Sequence, residues 1–192
     1  MKNIYNVLLF SFVLSSSIVN AQKINYADQE IPLIDNEVVF SIDFNKNLSK
    51  TQFSRYVYYY LNHRMKPYKG EFYSVSKDSI KSNIVDFLEI STSALYSFGV
   101  YIEYDINFAF EDGKCNMTID NIIYMGKTSY EEEERLNRDL RIVKLTGKEI
   151  MIDKKYRSIF IRNSSDKITE ATINMINSII DELNLLFIEV EN

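Results

Sequence analysis

The feature that most constrains the fold is the pair Asp112-Gly113, which joins two long runs of alternating apolar and polar residues. Asp-Gly suits the left-handed dihedral angles of a two-residue type I′ turn, so the sequence predicts a β-hairpin that pairs Val100–Glu111 with Lys114–Tyr124. Pairing outward from this turn gives one apolar face. Its predicted pairs are Phe110 with Cys115, Phe108 with Met117, Ile106 with Ile119 and Ile102 with Ile123.

The other face of the predicted hairpin is largely polar, as expected for an antiparallel sheet with one solvated side. Its predicted pairs are Glu111 with Lys114, Asn107 with Thr118, Asp105 with Asp120 and Tyr101 with Tyr124. The hairpin therefore predicts a sheet that buries one face and leaves the other open.

Upstream of this hairpin the sequence predicts a strand, a helix and a second hairpin. Residues Glu37–Phe44 alternate between apolar and polar side chains, which is typical of a strand. Ser49 and Gln52 have the spacing of a capping box, so a helix should begin there and run to Met65. Residues 71–77 and 83–92 are β-rich and predict a hairpin.

Downstream, the segment Ser129–Leu145 is charge-dense and predicts a short exposed helix behind a capping box of Ser129 and Glu132. Residues 148–153 and 157–162 are two short β-rich runs and predict a small hairpin.

Apolar residues then recur at helical spacing from Ile168 to Phe187, which predicts a second amphipathic helix on the same sheet face as the first. The predicted fold class is therefore α+β: an antiparallel sheet of about five strands, two amphipathic helices packed on one face, and a small C-terminal hairpin insertion.

The N-terminus is typical of a secretory signal, with Lys2 before the apolar run Val7–Leu14 and a small-residue cleavage site that ends at Ala21. We expect residues 1–21 to be removed and the product to be periplasmic or extracellular. The residue directly after the cleavage point is Gln22 rather than cysteine, so no lipid anchor is expected, and the apolar run is short for a membrane span.

We expect an N-terminal arm over residues 22–36 and one α+β domain over residues 37–190. Within this domain, residues 37–125 form the core, residues 126–165 form a charged helix and hairpin segment, and residues 166–190 form the C-terminal helix.

Charge and rare residues exclude several functions. The chain has 22 basic and 27 acidic side chains, and loss of Lys2 with the signal leaves 21 minus 27, a charge of −6. Basic and acidic residues are interleaved, so nucleic acid binding is not expected, and no basic amphipathic helix predicts membrane binding. A single His and a single Cys leave little material for metal sites or nucleophile–base pairs, so no cofactor is expected.

Few residues are candidates for chemistry. Asp105 and Asp120, opposite each other on the polar face, could act as an acid–base pair or ligate a hard cation, but a pair of solvated aspartates is the simpler interpretation. His63 could form a ligand-binding face with Arg55, Tyr58 and Tyr59, or be an ordinary surface histidine. Cys115 is expected to be a buried apolar residue. The run Glu131–Glu134 could bind a basic partner, or complement the dipole in the first turn of a helix.

The predicted binding site is the open sheet face around Tyr101, Glu103, Ile122 and Tyr124, because tyrosine is enriched at interfaces. It would bind a protein or a surface glycan of unknown identity, without catalysis. The alternatives are an acid-dependent hydrolase that uses Asp105 and Asp120, an inhibitor of a secreted enzyme, and a structural accessory domain. Residues 127–165 have no other assigned place and could cover this face.

The order of these elements resembles a family of exported Bacteroidota proteins known as a domain of unknown function with a TBP-like fold. The resemblance spans roughly residues 37–125. It rests on Val38–Phe44, the helix Thr51–Met65, the segment Tyr73–Ser91 and above all Tyr101–Lys114 with Met117–Tyr124. It implies the fold and an envelope setting, brings no catalytic residues, and does not imply DNA binding.

Overall fold

The computed structural model describes residues 30–66, 69–92, 97–136, 143–157 and 162–191. Within these residues, no helix is long and apolar enough to cross a membrane. The predicted signal peptide, residues 1–21, and the first part of the predicted arm lie outside the described residues.

Eight strands and four helices are described. The strands are β1 (Leu33–Ile34), β2 (Glu37–Val38), β3 (Phe40–Asn45), β4 (Lys69–Val75), β5 (Ser79–Thr92), β6 (Ser97–Glu111), β7 (Lys114–Gly126) and β8 (Lys144–Thr146). The helices are α1 (Lys50–Met65), α2 (Lys127–Leu136), α3 (Gly147–Met151) and α4 (Ser164–Glu191).

Six strands form one antiparallel sheet in the order β3-β7-β6-β5-β4, and β8 pairs with the end of β7. The predicted α+β class is confirmed, with six strands in the sheet rather than about five. Strands β4 and β5 form the predicted second hairpin. Strand β1, in the predicted arm, pairs with β2, and the predicted strand Glu37–Phe44 is divided into β2 and β3.

Helices α1 and α4 pack side by side on one face of the sheet, as predicted. Val57 of α1 and Ile179 of α4 are fully buried, and both helices contact β5. The rings of Phe53 and Phe187 meet edge to face with centroids 5.1 Å apart, which joins the two helices directly. Ser49 and Gln52 form the predicted capping box at the start of α1.

The hairpin of β6 and β7 keeps the predicted register next to its turn but not the predicted turn type. Phe110 lies opposite Cys115, as expected. Gly113 has φ of 81°, but Asp112 does not have the positive φ that a type I′ turn requires. The reason is tertiary: Asp112 Oδ1 accepts a hydrogen bond from the Lys50 amide at 2.9 Å, and the Gly113 amide donates to the Leu48 carbonyl at 2.8 Å.

Left-handed dihedrals at both turn residues occur instead between β1 and β2, where Asp35 has φ of 49° and Asn36 has φ of 69°. Asn and Asp tolerate this conformation, which a type I′ turn needs at both central positions.

Two predictions for the segment after β7 are wrong. Residues 148–151 form helix α3 rather than a strand, because Thr146 and Glu149 form a capping box that starts a helix there. The second run of that hairpin falls largely on residues 158–161, outside the described residues. Helix α2 confirms the predicted short exposed helix, but it begins at Lys127, directly after β7. The predicted start at Ser129 is therefore wrong, and Glu131–Glu134 lie beyond the first turn.

Candidate binding surface

The four residues of the predicted site do not share one face. Tyr101 and Glu103 lie on the face opposite the helices, as predicted, and are partly exposed. Ile122 and Tyr124 belong to the core on the other face, with 4% and 3% of their surface exposed. The Tyr124 hydroxyl is 2.8 Å from Oγ1 of Thr172 in α4, and burial raises the pKa of the Tyr124 phenol. The prediction that all four form an open patch is therefore wrong.

A β-bulge in β7 causes this separation. Asp105 pairs with Asp120 as predicted, but Glu103 pairs with Ile123, so β7 holds one residue more than β6 between these pairs. Asn121, in the bulge, has φ of 49°. Because side chains alternate with a period of two, the extra residue moves every later side chain of β7 to the other face.

Helix α2 covers the aromatic end of the open face. The Tyr130 ring of α2 lies 4.1 Å from the Tyr101 ring, and the Tyr101 hydroxyl donates to Oε1 of Glu131 at 3.3 Å. Lys127 Nζ is 5.2 Å from the centroid of the Phe87 ring. Helix α2 thus covers part of the surface that the sequence predicted to be open to a partner.

The remainder of the open face carries amide–carboxylate pairs, and we call it the polar half. Asn116 Nδ2 donates to Asp43 Oδ1 at 2.8 Å, and Asn107 Nδ2 donates to Asp120 Oδ2 at 3.4 Å. The neighbouring side chains of Ser41 and Thr118 add hydroxyl groups to this surface. The polar half consists of Ser41, Asp43, Asn83, Asp105, Asn107, Asn116, Thr118, Asp120 and Asn121.

Asp105 and Asp120 differ in their surroundings. Asp105 accepts hydrogen bonds from Asn83 at 2.9 Å and from Asn121 at 3.3 Å. Burial raises the pKa of the Asp120 carboxyl, and the negative charges of Asp105 and Glu37 raise it further, while the Asn107 hydrogen bond opposes them. Among the described residues, no group of three or more His, Cys, Asp or Glu side chains could hold a metal ion.

A cleft of about 440 Å³ adjoins the polar half where the β1–β2 hairpin, the bulge of β7 and α3 meet. Val38, Ile122 and Gly147 are among its lining residues. A larger residue than glycine would be crowded at position 147, because its Cβ would lie 3.2 Å from Ile122 Cβ. Asn121 lines the cleft and also binds Asp105, so it joins the cleft to the polar half.

The rim of the cleft is built from ion pairs. Lys148 Nζ lies 2.8 Å from Asp153 Oδ1, and Lys155 Nζ lies 3.0 Å from Glu149 Oε1. The Lys148 hydrogen bond lowers the pKa of Asp153, and a hydrogen bond from the Thr146 backbone, followed by one from Lys155, lowers that of Glu149.

The structure also contains a buried polar cluster that was not predicted from the sequence. Arg64 of α1 donates from Nη2 to Asp86 Oδ2 at 2.6 Å and from Nε to the Tyr104 hydroxyl at 3.1 Å. Tyr60 donates to Glu182 of α4 at 2.7 Å, and Arg64 Nη1 lies 3.7 Å from the same carboxylate. The cluster ties both helices to β5 and β6. A signal was present, because Arg64 follows Val57 by seven residues and so falls on the buried stripe of α1.

The remaining candidates lie apart from the polar half. Cys115 is fully buried, as predicted, and burial raises the pKa of its thiol. His63, Tyr58 and Tyr59 lie on the outward face of α1, and the His63 Nδ1 is 3.0 Å from the Tyr59 carbonyl oxygen.

A scan against protein-family models finds no match, and a search of curated proteins finds none either. Two solved structures share the fold. A DUF4468 family protein from Bacteroides ovatus ATCC 8483 superposes with a TM-score of 0.63 at 18% identity, over 82% of this chain and 90% of that one. A TBP-like protein from Parabacteroides distasonis ATCC 8503 gives a TM-score of 0.61 at 13% identity, over 81% of this chain and 96% of that one. The chain therefore has the TBP-like fold that the resemblance implied.

Proposed function

We propose that the protein is a non-catalytic binding module of the cell envelope and that it binds a glycan through the polar half and the adjoining cleft. The observation that supports this site most is the position of Asn121, which hydrogen-bonds Asp105 on the sheet and lines the cleft. Asn121 thereby joins the polar half and the cleft into one continuous surface.

The chemistry of the polar half favours a ligand rich in hydroxyl groups. Each sugar hydroxyl can donate and accept a hydrogen bond, and a carboxamide beside a carboxylate offers both a donor and acceptors in a fixed plane. Asn107 with Asp120 and Asn116 with Asp43 are two such pairs on neighbouring strands. Protein interfaces are instead depleted in Asp and Ser and enriched in aromatic residues at their centre, and α2 already covers the aromatic end of this face.

The binding test is an oligosaccharide array followed by calorimetry on the best ligand. Asn107→Ala and the isosteric Asp120→Asn should each weaken binding about tenfold, because each removes part of one amide–carboxylate pair. Asn174→Ala is the matched control, since Asn174 is exposed on α4. Equal loss in the control, or no glycan bound by the wild-type protein, would reject the site.

The envelope location is part of this proposal and rests on the signal-like residues 1–21. Mass spectrometry of the protein recovered from its host should find an N-terminus at Gln22. A chain that still begins at Met1, or one that carries a lipid, would contradict it.

One observation favours the hydrolase alternative, namely the raised pKa of Asp120 beside Asp105. In a hydrolase, Asp120→Asn should abolish turnover of the bound glycan, whereas in a binding module no turnover occurs in the wild type. Chromatography of the glycan after incubation with the protein separates the two functions.

A further inference from the structure

The outward face of α1 carries basic and aromatic side chains and no acidic one. Helix α1 has no Asp or Glu anywhere in its length, although the chain as a whole has a net charge of −5. Its exposed residues recur at helical spacing and form what we call the α1 stripe. The α1 stripe consists of Thr51, Arg55, Tyr58, Tyr59 and His63, together with Lys66, the residue that caps the C-terminus of α1.

The aromatic side chains of the α1 stripe are exposed yet held in place. Tyr58 and Tyr59 are 43% and 59% exposed, which is high for large apolar rings. The Tyr58 ring stacks on Phe72 of β4 at 5.1 Å between centroids, and the Tyr59 ring lies 4.2 Å from the His63 ring. Rings that are already ordered lose little conformational entropy when a partner covers them.

The basic side chains Arg55 and Lys66 of the α1 stripe are not paired with a carboxylate within the described part of the chain. The two other basic residues of the helix, Lys50 and Arg64, pair with Asp78 and Asp86. Arg55 instead places its guanidinium 4.9 Å above the Tyr56 ring and donates to the Tyr56 hydroxyl. Neither Arg55 nor Lys66 forms an ion pair with a described residue.

We propose that the α1 stripe is a docking surface for an acidic segment of a partner protein. Tyrosine and arginine are among the residues enriched at the energetic centres of protein interfaces. Both occur in the α1 stripe, whose Arg55 and Lys66 form no ion pair with a described residue. The charge selects an acidic partner. A membrane surface fits less well, because the apolar face of α1 is used by the core and is not available to lipid.

The α1 stripe lies on the helix side of the sheet, opposite the polar half, so this inference does not depend on the glycan site. The two surfaces would also bind different ligands, since the α1 stripe would bind an acidic segment and the polar half a glycan. Loss of one activity by mutation should therefore leave the other unchanged.

The test uses three short fluorescent peptides. In each, leucine and tyrosine alternate with one polar residue, which is glutamate, lysine or glutamine. Fluorescence anisotropy measures the binding of each peptide to the full chain. The glutamate peptide should bind, and its affinity should fall when ionic strength rises from about 0.05 to about 0.5 M. Arg55→Glu and Tyr59→Ser should each weaken it about tenfold. Lys167→Glu, the same charge change at an exposed position of α4, is the control and should have little effect.

Thermal melts show whether the variants remain folded, which is expected because both substituted side chains are exposed. The proposal would be overturned if the glutamate peptide did not bind, if the lysine or glutamine peptide bound equally well, or if Lys167→Glu weakened binding equally. Tighter binding to anionic phosphatidylglycerol vesicles than to the glutamate peptide would also overturn it, because a membrane would then be the occupant.

Discussion

Asn121 decides which face of the sheet the end of β7 presents. Its φ of 49° is a conformation that asparagine tolerates and that β-branched residues avoid. If the bulge closed, Ile122 and Tyr124 would turn away from the core and Asn121 would leave the cleft. One left-handed residue therefore controls both the packing and the candidate site.

Substitution at Asn121 should show this dependence. We expect Asn121→Val to destabilise the protein by about 1–2 kcal/mol relative to Asn121→Gly, because valine is strained at positive φ and glycine is not. Both variants lose the hydrogen bond to Asp105, so their comparison isolates the backbone. Urea unfolding measures the difference, and equal stability of the two variants would argue against a left-handed residue 121.

Asp120 should make stability depend on pH with a definite sign. The folded chain raises the pKa of this carboxyl, so the contribution of Asp120 is fully present at pH below its unfolded pKa and is lost as pH rises through its folded pKa. Asp120→Asn stays uncharged. At about pH 7 this variant should therefore have a higher melting temperature than the wild type, and the difference in melting temperature should shrink as pH falls to about 3.

Melting curves of the two proteins over this pH range test the prediction. A difference in melting temperature that grows toward low pH would mean that the sheet face stabilises the charged form of Asp120 instead.

At the scale of elements, the buried faces of α1 and α4 pack on the sheet and complete the core. Ile179→Asp and Val57→Asp should each destabilise the protein by about 3–5 kcal/mol, because each places a charge without a partner in a fully buried position. Leu185→Asp is the matched control on α4, since Leu185 is 63% exposed. A melt of Ile179→Asp like that of the control would place α4 outside the core.

Local patterns predicted the elements whose determinants are adjacent in sequence. The Ser49 and Gln52 capping box marked the start of α1, and alternation outward from Gly113 gave the pairing of Phe110 with Cys115. The bulge was not predictable in this way, because Ile122 and Ile123 are both apolar and fit either face. Helix α3 was missed because its β-rich composition outweighed a capping box that the sequence does contain.

The candidate surfaces were predicted less well than the fold, for a physical reason. The polar half follows from register, which the sequence gives correctly up to Asp120, whereas the cleft requires three separate elements to meet. Helix α2 covers Tyr101 because β7 ends just before α2 and the Tyr130 ring packs on the Tyr101 ring. Both depend on tertiary structure and not on a local sequence pattern.

In the whole molecule, the buried polar cluster around Arg64 joins the two helices to the sheet. Arg64→Met should cost about 3–5 kcal/mol, because it leaves the Asp86 carboxylate buried without its counter-ion. Adding Asp86→Leu should recover part of this loss by removing the charge that was left unpaired. Chemical unfolding of the two single variants and the double variant measures their coupling, and a double variant that is merely additive would contradict the proposed pairing.

The outer strand β4 has a consequence for behaviour at high concentration. An uncovered strand at the rim of a sheet is a template on which further chains can add, and charged side chains and irregular backbone are the usual protections. Strand β4 has both: Lys69 and Glu71 on its length, and a register shift between Phe72 and Ser74. Strand β4 therefore carries the usual protections against pairing with the edge of another copy of the chain.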